Sequence, residues 1–245
     1  DKKNAGIYFY GEQIMSEYTK ENIYWLGKGN GLQMGSVRGK GPNSIDNGTF
    51  TEQLHIEQDS WMISNVSLDP KADHWIWDWF LVFPFSWPNY DTRTYIGIHV
   101  DGVAAVPATA TLAVNLQGYI DNPAFNPDQH VVVSLNGTPL TPTVPDSDKW
   151  GGLIPHTVEY AIDQSTGLLL DGENTLVVQG LGDLGAGVSG FYIDSFDLTY
   201  QRLYRAENNQ LIFRPESDQV VTVHGFSNPD ILLFDITDPK KPILN

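Results

Sequence analysis

The chain has 245 residues, with 30 acidic and 14 basic side chains, a net charge of −16 and no cysteine. Such a surface repels phosphate backbones, which excludes nucleic acid as a partner. The lack of cysteine excludes a thiolate nucleophile, a disulfide framework and thiolate zinc sites. No apolar run reaches the roughly 18 residues of a membrane helix, so no membrane span is expected.

In chain order, the start at Asp1-Lys2-Lys3 is polar and lacks Met, which predicts a processed or truncated chain. Helical periodicity is nearly absent; one short stretch, 12–18, has poor apolar spacing. Strand signals dominate, as β-branched and aromatic runs bounded by Gly, Pro, Asn and Asp. They predict strands over 23–26, 50–58, 75–83, 95–100, 109–118, 131–135, 157–162 and 175–179, with a glycine-rich loop over 27–48. Leu112, Val114 and Leu116 alternate on one face. Asn136-Gly137 predicts a hairpin turn, and 170–174 a tight turn. In the closing strand, Phe191 and Ile193 are apolar at one parity, but Phe196, Leu198 and Tyr200 at the other. A bulge near Asp194-Ser195 reconciles the two halves, because a one-residue slip flips every side chain. After Arg202, three short strands are expected over 211–214, 220–223 and 231–234.

This pattern predicts an all-β protein, a jelly-roll β-sandwich over 1–200 with N-terminal insertions and a small β extension over 201–245. The run His74-Trp75-Ile76-Trp77-Asp78-Trp79-Phe80 places three indoles at alternate positions, on one face if it is a single strand. Burial in the core is the ordinary fate of such rings; a sugar platform needs them exposed and coplanar. The ligand-binding candidates are Trp79, the proline-broken stretch with Phe85, Trp87 and Tyr90, and Trp150. Carboxylate pairs at Asp69/Asp73, Asp146/Asp148 and Asp194/Asp197 are spaced for hard oxygen ligation of calcium. The six histidines lack zincin spacing, and Ser189 in Gly187-Val188-Ser189-Gly190 lacks the second glycine of a nucleophile elbow. The sequons at Asn47, Asn65 and Asn136 are short enough to arise by chance.

From His130 to Pro242 the chain resembles the β-rich region preceding the catalytic domain of gingipain-like cysteine peptidases. The resemblance is carried by His130-Val131-Val132-Val133-Ser134-Leu135-Asn136-Gly137, by Leu170-Asp171-Gly172-Glu173-Asn174-Thr175-Leu176 and by the run from Phe191 to Arg202. Val223-His224-Gly225-Phe226, leading to Phe234-Asp235-Ile236-Thr237-Asp238-Pro239, completes it. The order of signals from Leu112 to Tyr200 is also similar to that of galactose-binding-like jelly rolls. The resemblance implies a secreted, non-catalytic scaffold or accessory domain, with a peptidase domain or neighbouring subunits as partners. It also raises the expectation of a structural calcium, with Asp194 on the closing strand as the first candidate ligand and Asp146 and Asp148 as others. Two alternatives stand beside it: a carbohydrate-binding module whose partners are glycans, and a subunit of an extracellular assembly joined by strand addition.

Overall fold

The structure, a computed structural model, describes residues 9–11, 14, 19, 21–28, 35–36, 48–64, 73–83, 90–214 and 221–244. The predicted helix at 12–18 falls almost wholly outside them, as do Phe85, Trp87, Asp69, Asn47 and Asn65. Packing divides the chain into two compact units, Ile45–Gly225 on the one hand and Asp1–Ser44 with Phe226–Asn245 on the other.

Strand is the dominant regular structure of the described chain, with one 3-10 turn at Gln164–Thr166. After β1 (Gly35–Ser36) come β2 (Thr49–Glu57), β3 (Trp61–Met62), β4 (Trp75–Ile76), β5 (Asp78–Val82), β6 (Tyr90–Val100) and β7 (Thr109–Gly118). They are followed by β8 (Gln129–Leu135), β9 (Thr138–Pro139), β10 (Lys149–Trp150), β11 (Pro155–Asp163), β12 (Gly172–Leu181) and β13 (Ser189–Leu203). The last two are β14 (Phe234–Asp235) and β15 (Ile243–Leu244). Two five-stranded antiparallel sheets make the large unit: β10-β8-β12-β6 with β9 on β8, and β11-β7-β13-β2 with β5 on β13. This is the β-sandwich that the alternation predicts. The small unit holds a three-stranded sheet, β1-β15-β14.

Alternation places the core between the sheets. Ala110, Leu112, Val114 and Leu116 of β7 and Val158, Tyr160 and Ile162 of β11 point inward from one side. Val131, Val133 and Leu135 of β8 and Leu176 and Val178 of β12 meet them from the other. Each buried Val, Leu or Ile among them withdraws enough apolar area to contribute about 1.5–3 kcal/mol. The predicted bulge in β13 is present: its register against β7 slips between Ile193 and Ser195. The slip lets Phe191 and Ile193 before it, and Phe196, Leu198 and Tyr200 after it, all enter one core. A second slip, in β6 against β12, falls at Gly97, whose φ of +79° is unfavourable for a residue with a Cβ.

Several expected strands are absent. Residues 23–26 lie in no strand, and Trp25 is 94% exposed. Residues 211–214 and 221–223 form no strand, and of 231–234 only Phe234 lies in one. Ile231, Leu232 and Leu233 stay about half exposed, so their apolar character does not report burial. The tryptophan run is not one strand either. It breaks at Trp77, which turns toward the core and packs edge-on against Tyr95 and Phe196 at 4.9 and 5.5 Å, whereas Trp79 is 42% exposed. Trp77 and Trp79 therefore do not share a face.

Two asparagines tie the hairpins of the first sheet together. Asn136 and Gly137 take φ of 49° and 83°, the positive values that a two-residue hairpin turn needs. The Asn136 Nδ2 donates to the Leu168 carbonyl and to Asn174 Oδ1, each at 2.8 Å, and its Oδ1 accepts the Thr175 N–H. Asn174 is buried, accepts the Leu170 N–H and donates to the carbonyls of Leu170 and Gly172, closing the 170–174 turn. Asn174→Ala removes a buried amide and leaves these part-buried partners without their bonds, so it is expected to cost about 2–3 kcal/mol in urea unfolding. A loss within 0.5 kcal/mol of zero would show that the turn holds without it.

Candidate functional site

The bulge in β13 is also a change of partner. On the edge away from β7, residues 189–193 pair with β5 and residues 195–203 with β2. Asp194 falls at the junction, where β5 ends its pairing at Asp78 and β2 begins at Glu57. The short β3–β4 ladder is bonded alongside: the Ser60 N–H donates to the Ile76 carbonyl, and the Trp77 N–H to that of Ile193. Segments from four parts of the chain thus converge on the outer face of this sheet.

Aromatic rings collect there. Trp61, Ile63, Ile76, Trp79, Tyr119 and Tyr192 line a groove of about 250 Å³. Trp61 is 56% and Trp79 42% exposed, Trp79 next to the fully buried Phe80 on β5 and Trp61 on a β3 that is exposed throughout. Tyr119 and Tyr192 stack with ring centroids 4.5 Å apart, and the Tyr119 hydroxyl donates to the Phe80 carbonyl at 2.7 Å. Tyr119 can lie so close to β13 because Gly190 has no side chain: a Cβ there would meet the Tyr119 ring at 2.7 Å. Arg93 steadies the other side of Trp79. Its guanidinium lies 5.9 Å from the Trp79 ring centroid, donates to the Trp79 carbonyl and pairs with Asp78 and Asp91.

Carboxylates follow Tyr192 along the strand. Tyr192 and Asp194 are two residues apart on β13, roughly 6–7 Å along the strand. One oxygen each from Glu57, Asp73 and Asp194 lies within 4.8 Å of the others. Burial pushes the Glu57 carboxyl up and outweighs its bond to His55; burial likewise raises Asp194, helped by the charges of Asp73 and Asp197. Three such oxygens are placed to receive a cation, by geometry alone either a divalent ion or an ammonium.

Beyond them a row of hydrogen bonds crosses the sheet. Thr157 donates to Asn115 Oδ1 at 2.9 Å, and Asn115 Nδ2 donates to Asp197 Oδ2 at 2.7 Å and to the Ser195 hydroxyl. Ser195 in turn donates to Asp194 Oδ2. His55 sits between Asp197 at 2.6 Å and Glu57 at 3.0 Å. A neutral imidazole has one N–H, whereas both ring nitrogens here face carboxylate oxygens, so the site selects the imidazolium. The hydrogen bond to Asp197 is the largest of the causes that raise the His55 pKa.

The sequence candidates fare unequally. Trp79 lies in the groove. Tyr90 is exposed but opens β6 in the other sheet and is not among the groove's lining residues. Trp150 is 5% exposed, stacked on His156 at 4.7 Å and edge-on to Phe191, so it is a core residue without an open ring face. Asp194 joins a cation-sized cluster, but with Glu57 and Asp73 as companions. Asp146 and Asp148 are placed elsewhere, next to β10 of the opposite sheet: Asp146 pairs with Lys149 at 2.7 Å, and Asp148 lies 3.6 Å from His130. Trp61, Tyr119 and Tyr192 went unnoticed in the sequence. The signal available for Tyr192 was its parity, opposite to Phe191 and Ile193.

No protein-family model matches the chain, and no curated protein does. Among solved structures, dimeric latent PorU from Porphyromonas gingivalis is similar at 14% identity and a TM-score of 0.47, over 82% of this chain and 16% of that one. A β-porphyranase of glycoside hydrolase family 86 from Bacteroides plebeius is similar at 15% identity and a TM-score of 0.33, over 63% of this chain and 21% of that one. The chain therefore spans about a sixth and a fifth of their lengths, and neither likeness bears on what it does. Among the described residues no helix is long and apolar enough to cross a membrane.

The raised His55 pKa has a definite sign. Its contribution to stability is fully present below 6.5, the ordinary value, and is lost as pH rises through the folded-state value. The melting-temperature advantage of the wild type over His55→Gln is expected to be greatest on the acid side and to shrink toward alkaline pH. Thermal melts across that range test it, and a difference that ignores pH would overturn the imidazolium assignment.

Proposed function

We propose that this chain is a non-catalytic extracellular β-sandwich domain that binds a saccharide across the outer face of the β11-β7-β13-β2 sheet. One observation carries the reading: Trp61, Trp79, Tyr119 and Tyr192 line one groove, where Trp61 and Trp79 stay about half exposed although such large rings are ordinarily buried. Sugars present apolar C–H faces that stack on such rings. At about 250 Å³ the groove is smaller than the roughly 300–1,000 Å³ of pockets that engulf a ligand, which suits a short stretch of an extended glycan. The platform stands on strands and is braced by Arg93 and by the Tyr119–Phe80 hydrogen bond, so little ordering cost accompanies binding.

The accessory role implied by the resemblance to gingipain-like peptidases belongs to the same proposal, the domain holding a larger secreted protein at a glycan-bearing surface. What supports the absence of catalysis is the saturation of the polar row: His55, Asn115, Ser195 and Asp197 spend their hydrogen bonds on one another.

A glycan array followed by calorimetry tests the proposal. Trp79→Ala is expected to weaken binding at least tenfold, about 1.4 kcal/mol, with an unchanged circular dichroism spectrum. Failure of the wild type to bind any glycan, or full binding by the variant, would overturn it.

A further inference from the structure

The side chains that line the groove are aliphatic or aromatic, whereas a carboxylate cluster follows Tyr192 along β13, and that asymmetry constrains the ligand. Asp194 follows Tyr192 on the outer face of β13, and Glu57 and Asp73 bring their oxygens within 4.8 Å of it. Among the described residues, the cation paired with any of the three is His55, which Glu57 shares with Asp197. Arg93, the other cation at the groove, is taken up by Asp78 and Asp91. Among the described residues, the carboxylates of this cluster thus outnumber the cations paired with them, on a chain whose net charge is −16. An anionic sugar such as a uronate or a sulfated unit is repelled there. A neutral sugar gains the rings but nothing from the surplus charge. An ammonium carried on a sugar ring gains both, through charge-assisted hydrogen bonds to the carboxylates and attraction to the neighbouring aromatic faces.

We propose that the groove selects an amine-bearing saccharide, a hexosamine unit with a free amino group, stacked on the aromatic rings with its ammonium toward Asp194, Glu57 and Asp73. This rests on the saccharide reading of the groove and names the sugar class. Calcium is the competing occupant of the same oxygens. It prefers six to eight oxygen ligands, and it would leave the rings without a role. Here one Asp73 oxygen already accepts the Trp75 N–H, and one Glu57 oxygen meets His55.

The test is calorimetry on the full chain at mildly acidic pH, with four probes: deacetylated chito-oligosaccharide, its fully acetylated counterpart of equal length, oligolysine and calcium chloride. The deacetylated oligomer is expected to bind about tenfold or more tightly than the acetylated one. Asp194→Asn and Glu57→Gln are each expected to erase that preference while leaving the weaker binding of the acetylated oligomer, and Trp79→Ala to remove both. Melting curves of the variants confirm that they fold. Equal affinity for the two oligomers overturns the amine inference and leaves saccharide binding standing, whereas no sugar binding at all overturns both. Oligolysine binding as tightly as the amino sugar, and surviving Trp79→Ala, reduces the effect to bulk charge and overturns the inference. Saturable calcium binding lost in Asp194→Asn, with no preference for the amine, assigns the carboxylates to a metal and overturns it as well.

Discussion

A strand of fifteen residues that runs the length of a sandwich cannot keep one parity facing the core if its partners change halfway, and β13 changes parity once, at Asp194. That slip is the constraint on which the rest depends. Before it β13 is zipped to β5 and after it to β2, while β7 runs along the opposite edge of both halves. Phe191 and Ile193 can then share one core with Phe196, Leu198 and Tyr200. The extra residue has to leave the ladder, and on an outer face the residue that leaves is best polar. Asp194 meets that need, with Ser195 donating to it from the next position. Removing the slip would drive three large side chains into solvent, a loss of several kcal/mol by area alone.

This feature was legible because it is local. Two overlapping period-2 patterns in ten residues have few explanations other than a bulge. The Asn136-Gly137 turn and the 170–174 turn were legible for the same reason: backbone conformation there is dictated by the residues themselves. Strand identity failed where burial is set from outside the segment. Nothing within Ile23-Tyr24-Trp25-Leu26 or Ile231-Leu232-Leu233 distinguishes a strand that finds a sheet from one that does not, and neither segment as a whole found one. The tryptophan run failed differently. Its alternation was real, but Trp77 lies against the Tyr95–Phe196 pair, residues 18 and 119 positions downstream, and no local pattern records that attraction.

The candidate site was half legible. Asp194 stood out because of the bulge, and Trp79 because of its neighbours. Glu57 and Asp73 are ordinary acidic residues in a chain that has 30, and they become a cluster only through long-range pairing. Trp150 was misleading in the opposite sense: an indole flanked by charged and glycine residues reads as exposed, yet β10 folds it under the sheet against His156 and Phe191. Tyr119 owes its place to an absence, the missing side chain of Gly190 some seventy residues on, which opens the space its ring fills.

The fold and the groove therefore share a cause. The partner switch that keeps β13's apolar residues inside also ends β5 beside the start of β2's pairing. Into the corner left there come the short β3–β4 ladder with Trp61, and Tyr119 from the end of β7. A straight sheet would present this outer face as a regular polar ladder like the one from Thr157 to His55. The interruption turns part of it into a concave apolar surface, with carboxylates following Tyr192 along β13. Because the rings are held by strands, a braced hydroxyl and an arginine, the surface is preorganised, which favours recognition of a rigid ligand face over wrapping of a flexible one. A surface of this kind selects by shape along the rings and by charge at the end, and the two terms are separable because different side chains supply them.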